Sequence, residues 1–381
     1  MNMKILLLSE FFPDSKTLDI TGGVEARAYF LAKELSIKNE VYVLTSRRKS
    51  QKKLDKIEKI NILRIGPIYS YSNYGNLLQR IFFSLSCFFS IRRIVKKYSI
   101  DVIDTLTYFT YPVILRNIKA KKFLTYHEVW IGEWVKNTGT KLGLVGEIAE
   151  RVILFFVKIT KTKIISVSEF TRKKLVEQGI KKVNVVNNGI DMQKYDSVKV
   201  SKFDFPTIGV IGRLINQKRV DDVLYALAIV KKKIPDIKLK IIGKGEEMKS
   251  LKKLTIKLHL EKNVEFLGYV KEHMDVIKTL KKCHLFVHAS IREGFGIVLL
   301  ESAACGIPFV ATDIEPFIEV TKKGKGGMIF KKKNYYDLAD KILEILKNKK
   351  KYGKKVEECS ELAMEYNWDE IAEKLVRVYR K

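Results

Sequence analysis

Short apolar runs recur along this chain, and most end in small or polar residues. The first half opens with KILLLSE (Lys4–Glu10), a pattern that predicts a buried strand of the parallel type. A loop with Pro13 and Gly22-Gly23 follows, then an amphipathic stretch from Val24 to Ser36. EVYVLTS (Glu40–Ser46), INILRIG (Ile60–Gly66), DVIDTLT (Asp101–Thr107), KFLTYHE (Lys122–Glu128) and KIISVSE (Lys163–Glu169) predict further strands. Helical stretches separate several of them, and that alternation predicts a parallel α/β sheet.

The pattern restarts past the middle. TIGVIGR (Thr207–Arg213), KLKIIGKG (Lys238–Gly245), VEFLGYV (Val264–Val270), HLFVHAS (His284–Ser290), PFVATD (Pro308–Asp313) and GMIFK (Gly327–Lys331) alternate with helical spacing. The polar, weakly periodic stretch Asp191–Pro206 marks the boundary. Residues 1–195 and 196–366 are thus expected to form two Rossmann-like, doubly wound parallel-sheet domains facing a central cleft. The amphipathic helix at 367–381 is expected to pack back on the first. Ligands of such sheets bind outside the carboxyl ends of the strands.

Composition changes this picture in one respect. The 381 residues are 46% hydrophobic and 30% charged, as in a globular protein, but carry a net charge of +29. Such a surface attracts nucleic acid, anionic membrane or phosphorylated substrates. Lysine is spread along the chain, so compositional bias accounts for the excess equally well. Cys87, Cys283, Cys305 and Cys359 have no metal or redox spacing and are expected to be small core residues. Met1–Ser9 lacks the basic start and cleavage site of a signal peptide, which points to a cytoplasmic protein. No apolar run reaches membrane-spanning length. Leu77–Tyr98 and Leu142–Lys163 mix bulky apolar residues with Arg and Lys. Such helices either bury one face in a core or lie on a bilayer. A peripheral position at the inner face of the membrane follows from the second reading, with an anionic surface as partner.

The strongest chemical signal is SIREGFGIVLLESAACGIP (Ser290–Pro308). A strand ends at Ser290, and a Gly-rich turn opens a helix near Gly296. Free N–H groups at a helix start attract a diphosphate. Glu293 sits in the turn beside Gly294, and Glu301 lies eight residues on, about two helical turns away. A carboxylate only accepts hydrogen bonds, which suits sugar hydroxyls. GRLINQKR (Gly212–Arg219) puts Arg213 at a strand end and Lys218 at a helix start, where two cations can neutralise a departing diphosphate. Gly22-Gly23 permits close backbone approach to a phosphate or sugar, or simply makes a turn. His127 ends a strand and either lines the cleft or is structural. His259, His273, His284 and His288 have no metal-ligand arrangement.

Taken in order, these strings resemble the retaining GT-B glycosyltransferases of family 4, group 1, over nearly the whole chain. The specific parts are Gly22-Gly23, Ser168-Glu169, Asn188-Gly189-Ile190-Asp191, Gly212-Arg213 with Lys218, Gly243-Lys244-Gly245, and two glutamates separated by seven residues. The resemblance implies that the second domain binds a nucleotide-sugar donor and the first an acceptor. Glu301 would bind the ribose and Glu293 the donor sugar. Arg213 and Lys218 would hold the diphosphate, with the amides of Phe295, Gly296, Ile297 and Gly23. His127 would sit near the anomeric centre, and the base would lie against the loops after Ile242 and Gly268. His127, Arg213, Lys218 and Glu293 would be the catalytic set; Gly22, Gly243 and Gly294 would complete the donor site. No side chain looks committed as a nucleophile, and the leaving phosphate would help deprotonate the acceptor.

Two positions depart from the family pattern: Lys244 replaces an acidic residue, and Arg219-Val220 stands where a glycine is expected. No Asp-x-Asp stands at a strand end, so neither a metal nor another cofactor is expected. The acceptor is expected to be a lipid-linked or cell-surface glycan, met by loops such as Asn73–Gln79 and Trp130–Gly143. A nucleic-acid-binding protein would explain the charge, but no recognition motif accompanies it and the paired glutamates would be left over. A sugar-nucleotide epimerase and an inactive partner subunit are the remaining alternatives.

Overall fold

From Ile5 to Leu8 every side chain is buried, as in a strand covered on both faces. The computed structural model describes residues 2–14, 22–49, 51–69, 77–135 and 140–381. Residues 73–76 and 136–139 of the expected acceptor loops lie outside them. The chain forms two compact units, Met1–Asn188 with Trp368–Lys381, and Gly189–Asn367.

The first unit holds strands β1 (Lys4–Leu8), β2 (Glu40–Arg48), β3 (Leu54–Ile57), β4 (Ile60–Tyr69), β5 (Val102–Thr105), β6 (Lys121–Tyr126), β7 (Lys163–Ser166) and β8 (Val183–Val185). Their order is β3-β4-β2-β1-β5-β6-β7-β8, and only the β3–β4 pair is antiparallel. Neither β3 nor β8 is legible in the sequence. Each is short, and β3 exposes Leu54 and buries Ile57, so no apolar run marks it. Strand register places Ile5, Leu7, Val102 and Phe123 on one face, and Leu6, Leu8, Ile103 and Leu124 on the other. Helices Gly23–Lys38 and Trp368–Arg380 cover the first face. Helices Leu77–Tyr98 and Thr140–Ile159 cover the second.

A buried polar network ties the chain's end into this unit. The Tyr379 hydroxyl donates to Asp104 Oδ2 at 2.6 Å, and Thr125 donates to Oδ1 at 2.8 Å. Arg27, fully buried, donates to the Asn187 carbonyl at 2.7 Å, Asn188 Oδ1 at 2.9 Å and the Val186 carbonyl at 3.0 Å. Burial lowers its pKa to about 10, against the opposing charge of Asp104. Arg27 thereby satisfies the chain as it leaves the sheet after β8.

The second unit contains β9 (Thr207–Ile211), β10 (Lys238–Ile242), β11 (Val264–Gly268), β12 (Leu285–His288), β13 (Phe309–Thr312) and β14 (Gly327–Phe330). All pairs are parallel, in the order β11-β10-β9-β12-β13-β14. That is the doubly wound order, with its switch point between β9 and β12. The division falls after Asn188, not after residue 195. The reason is local: Ile190 N–H donates to the Tyr366 carbonyl at 2.7 Å, and the Tyr195 hydroxyl to Glu301 at 3.2 Å. Both anchors lie in the second unit. All four cysteines are buried and free.

Candidate active site

The switch point brings together two turns far apart in sequence. The turn Asn216–Lys218 follows β9, and the turn through Glu293 follows β12. Ile291 N–H and the Ser290 hydroxyl donate to the Gln217 carbonyl at 3.0 and 3.3 Å. The Gln217 side chain returns a bond to the Arg292 carbonyl at 3.0 Å. This stitching seats Lys218 against Glu293 in a direct ion pair. His288, at the end of β12 and buried, places Nε2 3.1 Å from the same Glu293 oxygen.

Electrostatics fixes the charge states. Burial alone would push the Glu293 carboxyl up, but the Lys218 charge and the His288 hydrogen bond outweigh it and hold the pKa at about 2. Burial lowers the pKa of His288, despite the carboxylate beside it. A neutral imidazole donating to a fixed carboxylate is the consistent assignment.

The second glutamate is held differently. Glu301 lies in helix Ile297–Ala304, and its Oε1 meets the Tyr195 hydroxyl and His273 Nε2, each at 3.2 Å. Oε2 makes no hydrogen bond or ion pair to a described residue. The first amides of this helix have no partner within it, as at any helix start. Gly296 caps the helix at φ +94°, and a Cβ there would lie 2.7 Å from the Phe317 ring, so the turn requires glycine. Phe295 is buried edge-on against Tyr366.

Arg213 is exposed after Gly212 and has no ion pair to a described residue. Gly243 is explained by packing: a Cβ would fall 1.8 Å from the Gly212 carbonyl oxygen. The departures from the family pattern also find partners. Arg219 takes the left-handed conformation, φ 50°, where glycine would be unstrained. Ion pairs to Asp221 at 2.9 Å and Asp222 at 2.7 Å hold it there. Lys244 Nζ sits 4.9 Å from the centre of the Tyr269 ring, so the loops after β10 and β11 are linked by a cation over an aromatic face.

Within the first unit, Gly22, Gly23 and His127 line one cavity of about 300 Å³. No described atom lies within 4 Å of a Cβ built at either glycine, so packing of the described residues does not demand them. His127 is half-buried, and its Nε2, which is itself buried, has no hydrogen-bond partner among the described residues. Burial, with the charge of Arg27, lowers its pKa to about 3, against a hydrogen bond with the Leu106 backbone. His127 is therefore neutral at working pH.

The same cavity contains Glu10, paired with Arg80 at 2.9 Å, and Arg80 lies 5.3 Å from the Phe109 ring centre. Burial pushes the Glu10 carboxyl up to about 7, more than Arg80 pulls it down. A raised folded-state pKa means this group's stabilisation is complete below 4.5, its ordinary value, and is lost as pH rises through about 7. Glu10→Gln is therefore expected to stabilise the protein by ~1–3 kcal/mol near pH 8 and little near pH 5. Thermal melts at the two pH values check this; an equal shift at both would contradict it.

Comparison with known proteins decides the class. The profile described as Glycosyltransferase Family 4 matches residues 21–194, and that described as Glycosyl transferases group 1 matches 191–375. The chain is a glycosyltransferase of group 1, family 4. It is 27% identical to the gpi3 subunit of phosphatidylinositol N-acetylglucosaminyltransferase from Schizosaccharomyces pombe, over 97% of this chain and 78% of that one. Among solved structures it resembles sucrose-phosphate synthase from Thermosynechococcus elongatus (TM-score 0.82, 18% identity, 100% and 98% coverage). It also resembles Anabaena HepE in complex with UDP-glucose (TM-score 0.73, 19% identity, 99% of both chains). The two parallel-sheet units are those of the GT-B fold.

Sequence reasoning on this glycosyltransferase missed His288 and His273, the partners of the two glutamates. Neither has motif spacing. The one available signal was the place of His288 at the end of β12, where side chains meet ligand. Glu10 and Arg80 were missed because they are brought together only by the fold.

Proposed function

We propose that this glycosyltransferase moves a hexose, with retention, from a nucleotide-diphosphate sugar to a hydroxyl of a lipid-linked or cell-surface glycan at the cytoplasmic side of a membrane. The observation that carries the reading is the Lys218–Glu293–His288 cluster beside the helix start that bears Glu301. Lys218, with exposed Arg213 and the amides of Phe295, Gly296 and Ile297, meets the diphosphate. Glu293, ionised and fixed, accepts hydrogen bonds from donor-sugar hydroxyls. Glu301 Oε2 takes the ribose. His127, neutral, lines the cavity proposed to receive a sugar. The UDP-glucose bound by the Anabaena relative supports a donor of this class.

In the reaction the bond from the anomeric carbon to the diphosphate breaks, and its electrons go to the phosphate oxygen. Lys218 and Arg213 stabilise that charge as it develops, so no resident metal is required. The acceptor oxygen bonds to the anomeric carbon from the same side, and its proton passes to the departing phosphate.

A screen of nucleotide sugars tests this. One sugar class is expected to raise the melting temperature and to be slowly hydrolysed without acceptor, releasing nucleoside diphosphate. Binding of random-sequence DNA, with no response to any nucleotide sugar, would favour the nucleic-acid reading. Interconversion of sugars without release of nucleoside diphosphate would favour an epimerase.

A further inference from the structure

Two helices of the first unit each bury one side and leave a row of large apolar residues in solvent. In Leu77–Tyr98, Phe83, Cys87, Ile91 and Val95 are buried, while Leu78, Phe82, Leu85 and Phe89 are exposed, Phe89 at 69%. In Thr140–Ile159, Leu154 and Val157 are buried, while Ile148, Val152, Phe155 and Ile159 are exposed, Ile159 at 64%. Both exposed rows follow the same i, i+4, i+7, i+11 spacing, one stripe of a helix.

The stripes share one side of the molecule's first sheet. The first helix packs on Leu6, Leu8, Leu44 and Ile103, and the second on Leu124 and Ile164. Register runs Leu8↔Thr105↔Leu124↔Ile164, so these residues lie on one face. The segment Tyr108–Leu115 lies between the helices and touches both. Charge follows the apolar rows. Arg93, Lys96 and Lys97 are exposed at the end of the first helix; Lys141 and Lys158 flank the second row. No helix among the described residues is long and apolar enough to cross a membrane.

We infer that this face is a docking surface for an anionic lipid bilayer. The apolar rows enter the acyl boundary, and the flanking Arg and Lys side chains reach the headgroups. Charge complementarity selects this occupant over a second copy of the chain, whose identical face would set like charges against each other. The net charge of +29 acts in the same direction. The inference does not depend on the transfer reading, since vesicle binding needs neither donor nor acceptor.

Flotation of the full chain with vesicles tests it. The protein is expected to float with vesicles of phosphatidylglycerol and phosphatidylcholine, and far less with phosphatidylcholine alone or at high salt. Phe82→Ser with Phe89→Ser, and separately Ile148→Ser with Phe155→Ser, should each weaken binding by about tenfold or more. Arg93→Glu with Lys96→Glu should weaken binding to anionic vesicles alone. These side chains are exposed, so the melting temperature and the nucleotide-sugar response should stay unchanged in each variant. No flotation with anionic vesicles would overturn the inference. So would flotation indifferent to all three variants, or a dimer in light scattering that the serine variants dissolve.

Discussion

Lys218→Ala is expected to lower kcat/KM by about 10²–10³, a loss of ~3–4 kcal/mol in the transition state. The side chain does two things that alanine cannot. It supplies charge where the diphosphate departs, and it holds Glu293 ionised in a largely buried position. Without it, burial of Glu293 is opposed chiefly by His288, and the carboxyl pKa rises from about 2. The variant should then lose activity more steeply as pH falls than the parent does. Because Lys218 and Glu293 act as a pair, adding Glu293→Gln should cost much less than it does alone. Steady-state kinetics on the two single variants and the double variant check this. Activity of Lys218→Ala within roughly threefold of the parent would contradict the role.

Removing residues 368–381 is expected to unfold the first unit. The helix Trp368–Arg380 buries Trp368, Ile371, Leu375, Val378 and Tyr379 against the face that carries Ile5, Leu7 and Phe123. At about 1.5–3 kcal/mol per buried side chain the loss is on the order of 10 kcal/mol, comparable with the whole stability of a domain. Truncation also strips Asp104 of the Tyr379 hydroxyl and leaves a buried carboxyl short of a donor. The second unit, Gly189–Asn367, includes none of this helix and should stay folded. Limited proteolysis with mass spectrometry checks both halves. A first unit as resistant to cleavage as in the full chain would contradict the account.

How much of this was legible depends on how far apart the partners lie. The strand–turn–helix string from Ser290 to Glu301 is local, and its glycines, carboxylates and apolar spacing can be read without a fold. The alternation of strands and helices is equally local, and the two parallel sheets follow from it. Lys218 and Glu293 were both legible as candidates, but their ion pair depends on β9 and β12 being neighbours. His288 and His273 carry no spacing signal, because each meets its glutamate across a turn or between helices. Nothing in the amphipathic stretch Val24–Ser36 marks Arg27 as different from a surface charge. It is buried because it serves carbonyls about 160 positions away. The helices Leu77–Tyr98 and Thr140–Ile159 were ambiguous for a physical reason: both of their faces are apolar. Sequence periodicity cannot say which face the sheet covers. Glycines divide in the same way. Gly243 is fixed by the Gly212 carbonyl, whereas a Cβ added at Gly22 or Gly23 would meet nothing of the described chain within 4 Å.

The central claim is that the second unit holds a nucleotide diphosphate between Arg213, Lys218 and the helix bearing Glu301. Calorimetric titration of the nucleoside diphosphate selected by the sugar screen tests it most directly, in the parent, in Arg213→Ala and in Glu301→Ala. The account predicts binding by the parent, weakened by about tenfold or more in each variant. Unchanged affinity in both would contradict it.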